Sequence, residues 1–117
     1  MGHLVTEIFG TVVLAAGGIY SSKPRPVLVF QNDRFPTGES MVIIPFTSQK
    51  NPDAHYRVAV VPTKSNGLDR LCWLEIDKVG AIRATNLGQT IGRLDSDSLA
   101  QANKLIGDLL SPTGEEQ

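Results

Sequence analysis

Lys23-Pro24-Arg25-Pro26-Val27-Leu28-Val29-Phe30-Gln31 is the stretch on which the reading of this chain turns. Val27 to Gln31 is an unbroken apolar run of strand length, the pattern of a strand buried on both faces of a sheet. Two prolines bracket the arginine just before it. Pre-proline sterics hold Arg25 extended, and the flanking rings stiffen the backbone around it. An arginine held this way presents a fixed fork of donors, suited to a phosphate or a carboxylate. From pattern alone it also reads as no more than the solvated end of a strand.

Similar segments lie on either side. Thr11-Val12-Val13-Leu14-Ala15 is a short β-branched run, followed by a turn-rich stretch from Gly17-Gly18 to Pro26. Asn32 to Gly38 is turn chemistry, and Met41-Val42-Ile43-Ile44-Pro45-Phe46-Thr47 is a further strand. Pro45 donates no ladder bond, so that end is expected at a sheet edge or a bulge. Alternation puts Met41, Ile43, Pro45 and Thr47 on one face and Val42, Ile44, Phe46 and Ser48 on the other. A hydrophobic strand thus ends in hydroxyls, which is either a site or simply a strand giving way to a turn. Tyr56–Val61, Leu71–Ile76 after the Asn66-Gly67 turn, Lys78–Arg83 and Gln89–Leu94 continue the extended pattern. Asp95 then caps a helix whose apolar positions Leu99, Ala102, Ile106 and Leu109 step by three and four, ended by Ser111-Pro112. Many short strands and one amphipathic helix predict a mainly β (α+β) fold: a small curled sheet or barrel with a C-terminal helix packed across it.

Composition narrows the function. The 117 residues fit one domain over residues 1–110, with 111–117 a polar, flexible tail, and there is no internal repeat. Net charge is -1, so the chain is no generic polycation that coats nucleic acid; any such role needs a local basic groove. Its single cysteine, Cys72, excludes an internal disulfide framework and a thiolate zinc cluster. No apolar run approaches the roughly 20 residues of a membrane span, and Met1 to Glu7 has no secretory pattern. A cytoplasmic location with no membrane partner is therefore expected. His3, His55 and Cys72 are scattered, no acidic pair has calcium or zinc spacing, and no phosphate-binding glycine loop occurs, so neither metal nor cofactor is expected.

Arg25-Pro26-Val27-Leu28-Val29-Phe30-Gln31-Asn32-Asp33, followed by Thr47-Ser48-Gln49 after an apolar strand, resembles the MazF/PemK toxins of bacterial toxin–antitoxin pairs. The later order agrees: Asn66-Gly67-Leu68, a strand, Asp77, Ile82, and Ile91-Gly92-Arg93-Leu94 before the helix. The resemblance implies an SH3-like, PemK-like β-barrel that works as a homodimer. It implies a sequence-specific, metal-independent endoribonuclease that cuts single-stranded RNA and is neutralised by a cognate antitoxin. It also implies that Arg25 and Thr47 are the catalytic pair. Without a metal, the obvious nucleophile is the RNA's own 2'-OH, leaving a 2',3'-cyclic phosphate and a 5'-OH.

Candidates for binding RNA are Tyr20 and Lys23 in the first loop, Ser48, Gln49 and Lys50 after Thr47, His55 and Arg57 near the fourth strand, and Asp77. Trp73, within a strand, reads as core or dimer interface rather than as a platform for a base. Three positions depart from the family pattern: Phe9-Gly10-Thr11 at the first strand, Ile19-Tyr20-Ser21 before the arginine, and Gly80 where an arginine is common. Two rival readings remain. One is a gyrase-inhibiting toxin resembling CcdB on the same fold, although that family relies on a C-terminal Trp-Gly-Ile and this chain ends Gly114-Glu115-Glu116-Gln117. The other is a non-catalytic SH3-like interaction module whose Arg25 binds an acidic peptide.

Overall fold

Val27, Leu28 and Val29 are all buried and form the centre of a strand that neighbours flank on both sides. The computed structural model describes residues 7–16 and 23–112. The expectations for Gly17-Gly18, for Tyr20 and for the tail beyond residue 112 lie outside the described residues. In chain order the elements are β1 (Thr11–Ala15), β2 (Arg25–Val29), β3 (Ser40–Thr47), β4 (Arg57–Val60), β5 (Cys72–Glu75), β6 (Gly80–Arg83), β7 (Leu87–Arg93) and α1 (Ser96–Leu110). Short 3-10 turns at Ile76–Lys78 and Ala84–Asn86 join β5 to β6 and β6 to β7.

The strands make one antiparallel sheet in the order β4-β5-β3-β2-β1-β7, with β6 also on β3. Its ends, β4 and β7, do not pair with each other, so the expected barrel is an open sheet among the described residues. β3 is the pivot. On one edge it pairs with β2 through Ile43, Ile44 and Pro45. On the other it pairs first with β6, from Ser40 to Ile43, and then with β5, at Phe46 and Thr47. Pro45 is therefore not at a sheet edge. The Val42 carbonyl accepts from Phe30 N–H in β2's direction, so alternation turns Pro45 toward the other edge, in the gap where β6 hands over to β5. A residue with no N–H fits that gap without leaving a ladder bond unmade.

Alternation sorts the side chains onto two faces. Leu28, Ile44, Phe46, Val58, Val60, Cys72 and Leu74 share the main core with Val12 and Ile76, and α1 covers it through Leu99, Ala102, Leu105, Ile106 and Leu109. Fully burying a side chain such as Leu28 or Ile44 contributes roughly 1.5–3 kcal/mol. On the opposite face Val13, Val27, Val29 and Ile43 form a smaller cluster flanked by Ile8, Ala15, Met41, Ile82 and Leu87. Asp95 caps α1 as expected, its carboxylate accepting from Ser98 N–H at 2.9 Å.

β2 begins two residues before the apolar run and ends two residues short of it. Arg25 enters the ladder because Ala15 lies opposite it. Phe30 leaves to stack on Phe9, with ring centroids 5.2 Å apart. The Gln31 side chain turns back to accept from Val42 N–H.

Candidate active site

The β2–β3 register sets Val27 opposite Pro45. Carried one pleat further toward the strand tips, the same register sets Arg25 opposite Thr47, with both side chains on the face that carries Val27 and Ile43. Directly opposed residues on neighbouring strands hold their Cβ atoms about 5 Å apart. Both residues line one cavity of about 330 Å³ at the end of the sheet, together with Lys23, Pro24, Pro26, Phe46, Ser48, Leu68, Asp69, Arg70 and Cys72.

Each wall has a local cause. Pro24 and Pro26 hold the Arg25 backbone extended at the lip of β2, and the side chain stands exposed. Among the described residues its guanidinium makes no ion pair. Thr47 is half-buried at the end of β3, and its Oγ1 accepts from Gln49 N–H at 3.2 Å. With one lone pair so engaged, the hydroxyl hydrogen is left to donate into the cavity. The far wall is set by the Asn66-Gly67 turn. Asn66, 4% exposed, accepts on Oδ1 from Thr63 and Leu68 N–H and donates through Nδ2 to the Val61 carbonyl. Gly67 has φ +73°, and a Cβ there would fall 2.0 Å from the Ile91 carbonyl oxygen, so only glycine lets the loop sit against β7. That anchoring delivers Leu68, Asp69, Arg70 and Cys72 to the cavity.

Of the expected RNA-facing residues, Lys23 and Ser48 join Arg25 and Thr47 in this cavity. Gln49 and Lys50 are exposed just beyond it, His55 is exposed in the loop before β4, and Asp77 is exposed on the turn after β5. Arg57 is different. Expected to meet RNA, it instead donates from Nη2 to Glu75 Oε2 at 2.9 Å, with side-chain exposures of 12% and 10%. Lys78 Nζ reaches the same oxygen at 3.2 Å. The Arg57 guanidinium is thus tied to a carboxylate of its own sheet.

Arg70 was not among the residues singled out from sequence. It lines the cavity while paired with its neighbour Asp69 at 3.2 Å. The available signal was the Asn66-Gly67 turn, which returns the chain to the tips of β2 and β3. Cys72 is also in the wall; burial first, and Asp69 nearby, push its thiol pKa up, which disfavours the reactive thiolate. Among the described residues no three His, Cys, Asp or Glu side chains come close enough to hold a metal ion. No helix among them is long and apolar enough to cross a membrane.

Known proteins resemble this chain in sequence and fold. The family described as PemK-like, MazF-like toxin of type II toxin-antitoxin system matches residues 8–110. A probable endoribonuclease MazF from Mycolicibacterium smegmatis is 35% identical over 92 residues, covering 79% of this chain and 84% of the relative. The solved Mycobacterium tuberculosis toxin MazF-mt6 superposes with a TM-score of 0.69 at 24% identity, over 84% of this chain and 93% of that one. A MazE-MazF structure from Deinococcus radiodurans gives 0.69 at 19% identity, over 92% and 97%. At those identities the two structures speak for the fold alone.

Proposed function

This chain belongs to the PemK-like, MazF-like toxins of type II toxin-antitoxin systems, and from that premise we propose that it works as an endoribonuclease on single-stranded RNA. Two carriers of the chemistry, Arg25 and Thr47, come from separate strands and line one cavity with Lys23 and Ser48, and that observation supports the reading most directly. The cavity suits one phosphodiester. Arg25 takes the non-bridging oxygens in its fork, and the Thr47 hydroxyl, steadied by Gln49 N–H, donates to the same phosphate.

The RNA's 2'-oxygen attacks the adjacent phosphorus and the bond to the 5'-oxygen breaks. The strand is left with a 2',3'-cyclic phosphate on one side and a 5'-OH on the other. The 2'-OH loses its proton and the leaving oxygen gains one, so the step balances without a co-reactant. Arg25 supplies charge where the transition state gathers it on the phosphoryl oxygens. Removing one such preorganised donor elsewhere costs about 10²–10³ in rate. Thr47 at its ordinary acidity is a poor base, so its role is orientation.

The M. smegmatis relative bears the name of an endoribonuclease, and the D. radiodurans structure holds MazF with MazE. The family is one of type II toxin-antitoxin systems, so the proposal extends to neutralisation by a cognate antitoxin, and to a working homodimer, as the family resemblance implies. Metal independence belongs to the same reading, since the 2'-OH is its own nucleophile. The test is incubation of purified protein with mixed RNA in EDTA. Fragments ending in cyclic phosphate support the proposal. Intact RNA, or cleavage that requires a divalent cation, overturns it.

A further inference from the structure

Trp73 is the chain's one tryptophan, and its position is unexpected for a core residue. It lies half-buried on β5, between Cys72 and Leu74, which both point into the main core. Trp73 therefore faces the other way, and it belongs to neither apolar cluster. Its Cα partner on β3 is Thr47, and on the other side its partner on β4 is the exposed Ala59. Arg25, Thr47, Trp73 and Ala59 thus form one row across four strands, all on one face. With strands about 4.8 Å apart, the row sets the indole two strands, roughly 10 Å, from the Arg25 backbone.

We propose that Trp73 is the stacking platform for a nucleobase next to the scissile phosphate, a role that rests on the nuclease reading above. A single-stranded ligand held at Arg25 and Thr47 carries its bases to one side, and the neighbouring position in the row is an indole. Ala59, the smallest side chain that still keeps the strand, leaves the outer flank of the ring open. The competing occupant is a second copy of this chain. The assembly state of tryptophan variants tells that occupant from RNA. Indole is also the side chain with the largest π-face, and stacking on such faces tolerates different bases.

The single tryptophan makes the test direct. A short RNA that the protein cuts, remade with a 2'-deoxy residue at the cut position, is bound without reacting. Its binding should quench the intrinsic tryptophan emission, saturating in step with fluorescence anisotropy of a labelled copy. Trp73→Ala should weaken that binding about ten- to a hundred-fold, while Trp73→Phe loses only a few-fold. Sedimentation of both variants should match the parent protein. Three results overturn the proposal: unchanged emission at saturating oligonucleotide, undiminished binding by Trp73→Ala, or dissociation of Trp73→Ala into smaller species. In each of these the parent still cuts RNA and the nuclease reading stands. If the parent neither cuts nor binds any RNA, that reading fails and this one falls with it.

Discussion

Two arginines project from the same face of this sheet into opposite surroundings. Arg57 on β4 faces Glu75 across the β4–β5 ladder and is sealed there, with Lys78 closing over the same carboxylate. Arg25 on β2 stands at a strand tip between two prolines, exposed and without an ion pair among the described residues. A buried cation with a carboxylate opposite it is a structural element, because separating the two leaves a charge out of water. An exposed cation held stiff by its backbone, opposite a hydroxyl and at the mouth of a cavity, is arranged to meet an anion from outside. Residue type is the same in both; the cross-strand partner differs, and the proposed roles follow from it.

The first way to break this contrast is Arg25→Ala. Cleavage of single-stranded RNA should fall by about 10²–10³ or more, while the unfolding free energy stays within the range of a surface change, about 0.5 kcal/mol. A purified variant that cuts RNA at the parent rate would remove Arg25 from the chemistry.

Arg57→Ala should do the reverse. Truncating one partner of a buried pair costs about 3–5 kcal/mol, and the lower end is expected here because Lys78 remains beside Glu75. Urea unfolding should show that loss, with cleavage per folded molecule preserved. The double variant Arg57→Met/Glu75→Leu should recover most of the stability, since apolar replacements of similar volume match or exceed a buried pair. If instead Arg57→Ala folds normally and loses RNA affinity, the contrast between the arginines is wrong.

Thr47→Val sharpens the site itself. It keeps the shape and removes the hydroxyl, so cleavage should drop about ten- to a hundred-fold through lost orientation of the phosphate. Thr47→Ser should retain most of the activity, and a steady-state comparison of the two variants reads out the difference.

The contrast also marks where sequence reasoning succeeds. Strand existence was legible in the β-branched runs: Thr11–Ala15 is matched residue for residue, and Met41–Thr47 within one residue. Proline and a change of polarity mark Arg25 and Thr47 locally as strand ends and no more; it is the family resemblance that makes them a catalytic pair. The tie of Arg57 to Glu75, eighteen residues away, has no local mark in sequence, because only the β4–β5 register brings the two together. Trp73 was read as core or interface because aromatic residues in strands usually bury. Its place in neither apolar cluster follows from the alternation set by Cys72 and Leu74, which is visible once their direction is known. Pro45 pointed to an edge or a bulge, whereas it marks a change of partner along one side of β3, which leaves no local trace in sequence.

The smallest expected effect is at Asp95, and it separates stability from chemistry by pH. Its carboxylate accepts from the backbone N–H of Ser98 at 2.9 Å and from the Ser98 hydroxyl at 2.9 Å. Those bonds, the backbone one foremost, hold its pKa below the ordinary 3.8. A carboxyl whose folded pKa is depressed stabilises the fold above its unfolded value, and that stabilisation fades as pH falls through the folded one. Asp95→Ala should therefore cost about 1 kcal/mol at neutral pH, and the gap from the parent should shrink below about pH 4, as the unfolded carboxylate reference titrates there. Asp95→Asn keeps a capping oxygen and should cost less at neutral pH, with its stability flatter across the acid range than that of the parent. Thermal melts of the three proteins between neutral and acid pH measure this. Because α1 packs on the core face and the cavity opens at the strand tips, cleavage per folded molecule should be the same in all three. A loss of activity in Asp95→Ala at matched folded fraction would mean that α1 shapes the site, and that stability and chemistry are less separable than the two arginines imply.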